Sequence, residues 1–291
     1  MNYQHYNLRL YFYFAAAILI FAGCAREIQK PIEVVPGKES VAEALSVLKA
    51  RSQNAVPLRA GGRCLLQYYD TGKKKRKKES LTVLVLVKPP VEIYLQGNAT
   101  LVPKAIVLGS NEREFWLLMR PKEISTYWLG TWSEKNSSNN RLMINPRTLF
   151  EALGIVEIEA EENWSLSNEG AFDVLTKRER GVVIKKIYIY SRDYLAKKIL
   201  YFDSSGQAVA YTELRDYKEV SEGFFVPTSI KIITYGQNNS EDSLSINLDL
   251  KSVKPEKFTE RKQNVFFNPP PQGGFEHILI DEGGKWIEQR R

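Results

Sequence analysis

Side chains able to perform catalytic chemistry are few and scattered in this sequence. Histidine occurs only as His5 and His277, whereas a histidine metal site or a Ser-His-Asp arrangement needs a histidine beside its partners. Glycoside hydrolysis needs two carboxylates facing each other across a cleft. No spacing singles out such a pair among the acids that come closest to a cluster, Glu157, Glu159, Glu161, Glu162 and Asp173. We therefore expect no catalytic residue, no metal site and no cofactor. A hydrolase with a hidden carboxylate site stays open as a hypothesis.

Cys24 is the residue whose chemistry the sequence indicates most directly. It follows an uncharged apolar run over 10–21, the length of a signal-peptide core and too short to span a bilayer of about 30 Å. The small residues Ala22 and Gly23 come directly before it. This pattern resembles the bacterial lipobox, in which a signal peptide, here 1–23, is removed and the cysteine becomes a lipidated N-terminus. An ordinary secretory leader containing a cysteine, or an uncleaved anchor, is the alternative.

The lipobox resemblance also predicts where the protein works. Two or three acyl chains, at about 0.8 kcal/mol per buried methylene, hold a protein on a membrane far more firmly than one chain does. Residue 25 is alanine. By resemblance to enterobacterial sorting, an aspartate there would favour the inner membrane. We therefore predict a bacterial outer-membrane lipoprotein that faces the periplasm.

Composition bounds the rest of the chain. The net charge is +7, and 43% of the 291 residues are hydrophobic, which is enough for one large domain or two small ones. If Cys24 is acylated, Cys64 has no partner, so we predict a buried, inert thiol and a domain without disulfides.

Six consecutive cations form the strongest charge feature of the sequence. Such a run repels itself and cannot be buried, so we place it at the tip of a hairpin. It is either a solvated loop or a contact with anionic headgroups or an acidic partner, since each cation near an anionic surface contributes about 1 kcal/mol. Nucleic acid is not expected, because no aromatic residues interleave with the cations. The residues are Lys73, Lys74, Lys75, Arg76, Lys77 and Lys78.

The elements that must position these groups are mainly strands. Ser40 and Glu43 form a capping box before an apolar stripe, which predicts a helix over 41–53. A second helix should begin at Pro146 and end at Gly154. Alternating residues over 244–251 predict a half-buried antiparallel strand. Further strands are predicted over 57–70, 91–97, 101–109, 113–120, 123–129, 168–178, 182–191, 195–203, 208–219 and 225–235.

The strand over 81–87 breaks the alternation, because it is apolar on both faces. An antiparallel strand with one solvent-exposed face would not have this composition, so we expect both of its faces to be covered. A helix could cover one side; the other could face more sheet or a lipid-like ligand. Aromatic residues elsewhere are either core or, in a minority, the lining of an apolar cavity.

The order of these elements, with the phrases "VAEALSVLKAR", "RAGGRCLLQYY", "LVKPPVEIYLQG" and "LGSNEREFW", resembles the LolA/LolB-like superfamily of periplasmic lipoprotein carriers, and more closely its uncharacterised outer-membrane lipoprotein branch. The resemblance implies a mainly β (α+β) fold. A strongly curved antiparallel half-barrel would have helices plugging its concave face. The domain would span 40–267, after a tether at 24–39 and before a C-terminal tail or edge strand at 268–291.

The same resemblance implies that an acyl chain, a lipid or a lipoprotein binds in an apolar cavity, with no reaction catalysed. We expect a monomeric carrier or receptor in outer-membrane biogenesis. The alternative is a structural or sensory lipoprotein that binds a protein partner on the same scaffold. Such a protein would resemble the RseB-type regulators. Large apolar residues on central strands are the predicted cavity lining: Leu84, Leu86, Trp116 and Leu118.

Overall fold

The structure, a computed structural model, describes residues 34–70, 74–121, 125–132, 146–156, 161–235, 244–282 and 285–289. Cys24, the predicted signal peptide and the tether as far as residue 33 lie outside these residues. The core side chains of the described part lie between Ala44 and Ile278.

All 15 described strands form one curved, open sheet, which confirms the predicted half-barrel. Their order across the sheet is β15-β14-β6-β5-β4-β3-β2-β1-β13-β12-β11-β10-β9-β8-β7. Within the described residues, neighbouring strands are antiparallel except β14, which runs parallel to β6. The strands are β1 (Leu58–Asp70), β2 (Lys75–Lys88), β3 (Glu92–Asn98), β4 (Ile106–Ser110), β5 (Glu114–Met119), β6 (Thr126–Thr131), β7 (Trp164–Glu169), β8 (Phe172–Glu179), β9 (Val182–Tyr190), β10 (Ala196–Phe202), β11 (Ala208–Ser221), β12 (Phe224–Thr234), β13 (Leu244–Pro255), β14 (His277–Glu282) and β15 (Lys285–Glu288).

Two meanders make up most of the sheet. Strands β1 to β6 form one and β7 to β13 the other, and they join where β1 pairs with β13, with Cys64 opposite Leu248. Strands β6 and β7 therefore lie near opposite edges, and the chain between them must cross one face of the sheet. Helix α2 (Pro146–Ala152) lies in this crossing.

Helix α1 (Val41–Gln53) has the predicted bounds. The Ser40 hydroxyl accepts a hydrogen bond from the Glu43 N–H at 3.2 Å, and the Glu43 carboxylate accepts one from the Glu39 N–H at 3.3 Å. These contacts satisfy N–H groups at the helix start. Its buried face consists of Ala44, Leu45 and Leu48.

Helix α2 ends at Ala152, two residues before Gly154, the predicted stop, which has φ +83°. The Ile155 N–H donates to the Phe150 carbonyl and the Gly154 N–H to that of Glu151, both at 3.0 Å, which is a Schellman motif. A Cβ at residue 154 would lie 2.8 Å from the carbonyl oxygen of Phe225. Glycine thus allows α2 to stop close against β12.

The sheet buries apolar side chains on both faces. One face packs with α1 and α2 around a large core that includes Leu81, Val83 and Val85 of β2. The other face packs beneath residues 256–282, the C-terminal segment, which contains helix α3 (Glu260–Phe266) and β14. Strand β2 is apolar on both sides because the helix face covers one side and the chain's own C-terminal segment covers the other.

None of the helices in the described residues is long and apolar enough to cross a membrane.

Candidate ligand-binding cavity

A half-open cavity of about 540 Å³ lies where α1 and α2 approach the ends of several strands. The C-terminal half of α1, α2 with the residues after it, and the loop between β2 and β3 form its walls. Its apolar lining is Pro89, Pro90, Val91, Trp132, Phe150, Ile155 and Val156.

A pair of hydrogen bonds holds the wall between the two helices. The Ser52 hydroxyl donates to the Val156 carbonyl at 2.8 Å and accepts from the Val156 N–H at 3.0 Å. A single side chain on α1 thereby satisfies both backbone groups of a residue that follows α2. This keeps Ile155 and Val156 at the cavity surface.

Trp132 forms the opposite wall. Its indole N–H donates to the Asn111 carbonyl at 2.8 Å, and its ring centroid lies 4.5 Å from that of Phe115. The Arg147 guanidinium lies 5.0 Å from the same ring centroid, within the range of a cation–π contact. The indole is thus held in place with its polar atom already satisfied.

Glu151 lines the cavity from α2 and is buried. Its carboxylate is ion-paired with Lys185 of β9 and accepts a hydrogen bond from the Tyr201 hydroxyl at 2.7 Å. Burial, and then the nearby Glu151 carboxylate, raise the pKa of Tyr201 well above its usual value. Because the carboxylate is already paired, it anchors α2 to the sheet and offers the cavity no free base.

The exposed charges at the cavity are Lys49, Glu112 and Arg147. The cavity therefore combines an apolar wall with two cations and one carboxylate that reach solvent. This arrangement suits an amphiphile, whose chain would lie along the apolar wall while its polar head stays among the exposed charges.

The structure brings Leu84, Leu86, Trp116 and Leu118 together in one cluster, but on the face covered by the C-terminal segment. Phe267, Phe275 and Ile278 are the buried residues that cover them. None of the four lines the 540 Å³ cavity, which is on the helix face. Gly109 makes room for Trp116, since a Cβ there would lie 2.4 Å from the indole ring.

The basic run extends β2 instead of standing wholly in a loop. Lys75 pairs with Asp70 and Lys78 with Gln67 across the β1–β2 ladder. Lys74, Lys75, Arg76 and Lys78 are exposed and Lys77 is half-buried. Lys73 lies outside the described residues.

Cys64 and Asp173 are buried in the structure, whereas Glu161 and Glu162 are exposed. Cys64 is free and buried, as predicted, and burial, with a smaller effect of Asp249, raises the pKa of its thiol to about 12. Asp173 is fully buried and accepts hydrogen bonds from the Lys38 N–H and the Asn168 amide, each at 2.8 Å. No group of three or more potential metal ligands occurs in the described part of the chain. Glu157 and Glu159 lie outside it.

Sequence reasoning missed the cavity residues because their signals are weak when taken singly. Taken alone, Lys88-Pro89-Pro90 indicates only a turn, and Phe150 is only one apolar residue of the helix predicted between Pro146 and Gly154. The cavity exists because the crossing from β6 to β7 brings α2 beside the C-terminal end of α1.

No protein-family model matches the chain, and no curated protein matches it. Its fold is LolA-like. A solved domain from Vibrio parahaemolyticus, described as an outer membrane lipoprotein-sorting protein domain, is 12% identical, with 78% of this chain and 97% of that domain aligned at a TM-score of 0.50. A LolA superfamily protein from Nitrosomonas europaea is 13% identical over 77% and 97% of the two chains, at a TM-score of 0.48. A DUF1329 family protein from Desulfovibrio piger is 11% identical over 78% and 97%, also at 0.48.

Proposed function

We propose that this protein holds an acyl chain, of a lipid or of a lipoprotein, in the cavity between α1, α2 and the sheet, as a carrier or receptor. The observation that carries the proposal is the 540 Å³ half-open cavity with its mainly apolar lining. Small-molecule sites are typically concave, mostly apolar and roughly 300–1,000 Å³ in volume. No covalent step is part of the proposal.

Apolar burial would supply the affinity. Each methylene removed from water contributes about 0.8 kcal/mol, so about ten methylenes against an apolar wall that includes Val91, Trp132 and Phe150 would supply about 8 kcal/mol, which corresponds to a Kd of about 1 μM before the cost of ordering the ligand. The exposed cations Lys49 and Arg147 lie where an acidic head group would remain in water.

We further propose that Cys24 is lipidated and anchors the chain in the outer membrane, with the domain in the periplasm. The Ala22-Gly23-Cys24 pattern after the apolar run supports this. The basic hairpin, Lys73 to Lys78, is proposed to contact an anionic surface, because its described cations are mostly exposed.

Native mass spectrometry of a soluble form beginning at Ala25, purified without detergent, tests the cavity. An adduct of lipid-like mass is expected. Val91→Trp should lower the affinity for this ligand more than about tenfold, because a tenfold loss corresponds to fewer than two methylenes that are no longer buried. Leu101→Trp is the control, because Leu101 is 91% exposed and away from the cavity.

If the protein shows no lipid adduct after incubation with membrane lipids, the result would contradict the proposal and favour the partner-binding alternative. An adduct that Val91→Trp and Leu101→Trp affect equally would place the ligand outside this cavity.

A further inference from the structure

Four adjacent strands carry a connected array of tyrosine rings and lysine amines on the face opposite α1 and α2. Lys198 Nζ lies 5.8 Å from the ring centroid of Tyr188 and 5.6 Å from that of Tyr211. Lys231 Nζ lies 5.8 Å from the Tyr211 centroid, and the Tyr211 and Tyr235 centroids are 6.0 Å apart. We call these five residues the tyrosine–lysine array.

Strand alternation shows which way the array faces. Tyr188 lies between Ile187 and Ile189, both fully buried in the helix-side core. Lys231 lies between the buried Ile230 and Ile232. Because successive side chains of a strand point to opposite faces, the array points away from α1 and α2.

The array is accessible and carries two lysine amines. Tyr235 is 44% exposed, and the other four residues are half-buried. Glu213 is ion-paired with the array, its Oε2 lying 3.9 Å from Lys231 Nζ. The Glu169 carboxylate also acts on the array, because it adds to the effect of burial in raising the pKa of Tyr188. Lys198 contacts two rings and has no ion pair among the described contacts.

The strand register places the basic hairpin at the same end of the sheet. Gln67 of β1 is opposite Ser245 of β13, which is opposite Ile233 of β12. Two residues further along these strands are Tyr69 and Tyr235. Arg76 of β2 is opposite Tyr69, and strand spacing is about 4.8 Å, so this hairpin cation is three strands, roughly 14 Å, across the sheet from the edge of the array.

We propose that the tyrosine–lysine array and the hairpin cations on the same face, Arg76 and Lys78, form one surface that docks on an anionic lipid bilayer. Tyrosine favours the membrane–water interface, where its ring is in apolar surroundings and its hydroxyl stays wet. Lysine stems lie along apolar surface while the amine reaches the headgroups. The inference extends the contact proposed for the hairpin and is independent of the cavity.

Vesicle co-sedimentation of the soluble form beginning at Ala25 tests the surface, with phosphatidylglycerol/phosphatidylethanolamine vesicles compared with pure phosphatidylcholine. We expect salt-sensitive binding to the anionic vesicles. The double variant Lys198→Gln/Lys231→Gln should lower the partition coefficient roughly 25-fold, since each cation near an anionic surface is worth about a factor of five. Lys198→Arg/Lys231→Arg should retain binding.

The matched control is Lys254→Gln/Lys257→Gln, which removes the same charge from exposed lysines at and beyond the opposite end of β13. A hairpin variant, Arg76→Gln/Lys78→Gln, separates the two parts of the surface, because these two residues are opposite Tyr69 and Gln67 and so share the face of the array. Loss of binding in the hairpin variant alone would overturn the role of the array. Equal losses in the array variant and the control would show a net-charge effect and would also overturn it.

Two further readouts identify the partner class. Tyr235→Ser should weaken the vesicle binding that persists at high salt, where charge is screened, and no effect there would contradict an interfacial tyrosine. Binding to soluble polyglutamate without binding to vesicles would assign the surface to an acidic protein and overturn the proposal. Native mass spectra of the array variants should keep the cavity adduct, so failure of this inference and failure of the proposed function are separable.

Discussion

Replacing Lys185 with methionine tests whether the buried ion pair beneath the cavity holds α2 on the sheet. The substitution keeps most of the apolar stem and removes the amine that pairs with Glu151. Glu151 would then be a buried carboxylate whose remaining described partner is the Tyr201 hydroxyl at 2.7 Å. We expect Lys185→Met to destabilise the protein.

The structure sets the size of the effect. Removing one partner of a buried pair costs about 3–5 kcal/mol. The Lys185 and Glu151 side chains are 16% and 10% exposed, and Tyr201 still donates to the carboxylate, so we expect the low end, about 3 kcal/mol. For a domain of this size, each kcal/mol shifts the Tm by about 2–4 °C, so the Tm should fall by about 6–12 °C.

Urea unfolding followed by circular dichroism measures this loss. Lys186→Met is the matched control, because residue 186 is the next on β9 and points to the opposite face. The second variant is Glu151→Gln/Lys185→Met, which removes both charges while leaving an amide oxygen for Tyr201. It should recover at least half of the loss, because a neutral amide is far less costly to bury than an unpaired carboxylate.

A loss in Lys185→Met no larger than that in Lys186→Met would refute the reasoning, since it would mean that Glu151 is solvated. A double variant as unstable as the single one would also refute it, because the cost would then come from packing and not from charge.

Three further results are expected. Ser52→Ala removes both hydrogen bonds to Val156 and should cost about 1–3 kcal/mol by leaving a backbone N–H unsatisfied, with faster hydrogen exchange at Val156. Gly154→Ala should cost more than about 1 kcal/mol in urea unfolding, because it needs φ +83° and places a Cβ 2.8 Å from the Phe225 carbonyl oxygen. The Cys64 thiol, with its pKa raised to about 12 by burial, should stay unreactive to iodoacetamide at pH 8 until the protein unfolds, because only the thiolate reacts.

Each of these has its own control or contrary outcome. Ser46→Ala, at an exposed serine of the same helix, should cost less than Ser52→Ala. Gly170→Ala shares a positive φ but meets nothing within 4 Å, so an equal loss would show that the close approach of α2 to β12 does not matter. Labelling of Cys64 in the folded protein at the rate of a free thiol would contradict its burial.

Local elements were predictable because their signals lie within a few residues of each other. The Ser40 cap and the apolar stripe locate α1, and Pro146 with Gly154 delimits α2. The predicted strand over 168–178 was wrong at its start, because Gly170 takes φ +62° and separates β7 from β8. Helix α3, capped by Thr259, escaped prediction because it is short and buries no residue.

Long-range pairing was not predictable from the chain. Strand β14 runs parallel to β6, about 150 residues away in sequence, and no local pattern specifies that partner. The same holds for Leu84, Leu86, Trp116 and Leu118. Their composition shows that they are buried, but it does not distinguish a ligand from the chain's own C-terminal segment as the cover.

The sequence by itself determined the periodic elements, the unpaired thiol at Cys64 and the cationic run from Lys73, because turn chemistry, alternation and charge act between near neighbours. Tertiary structure alone decided where the cavity lies and which residues line it. It also decided that tyrosines and lysines from β9, β10, β11 and β12 meet on one face. Those outcomes depend on the strand order and on the crossing of α2 over the sheet, which arise from burial summed over the whole chain.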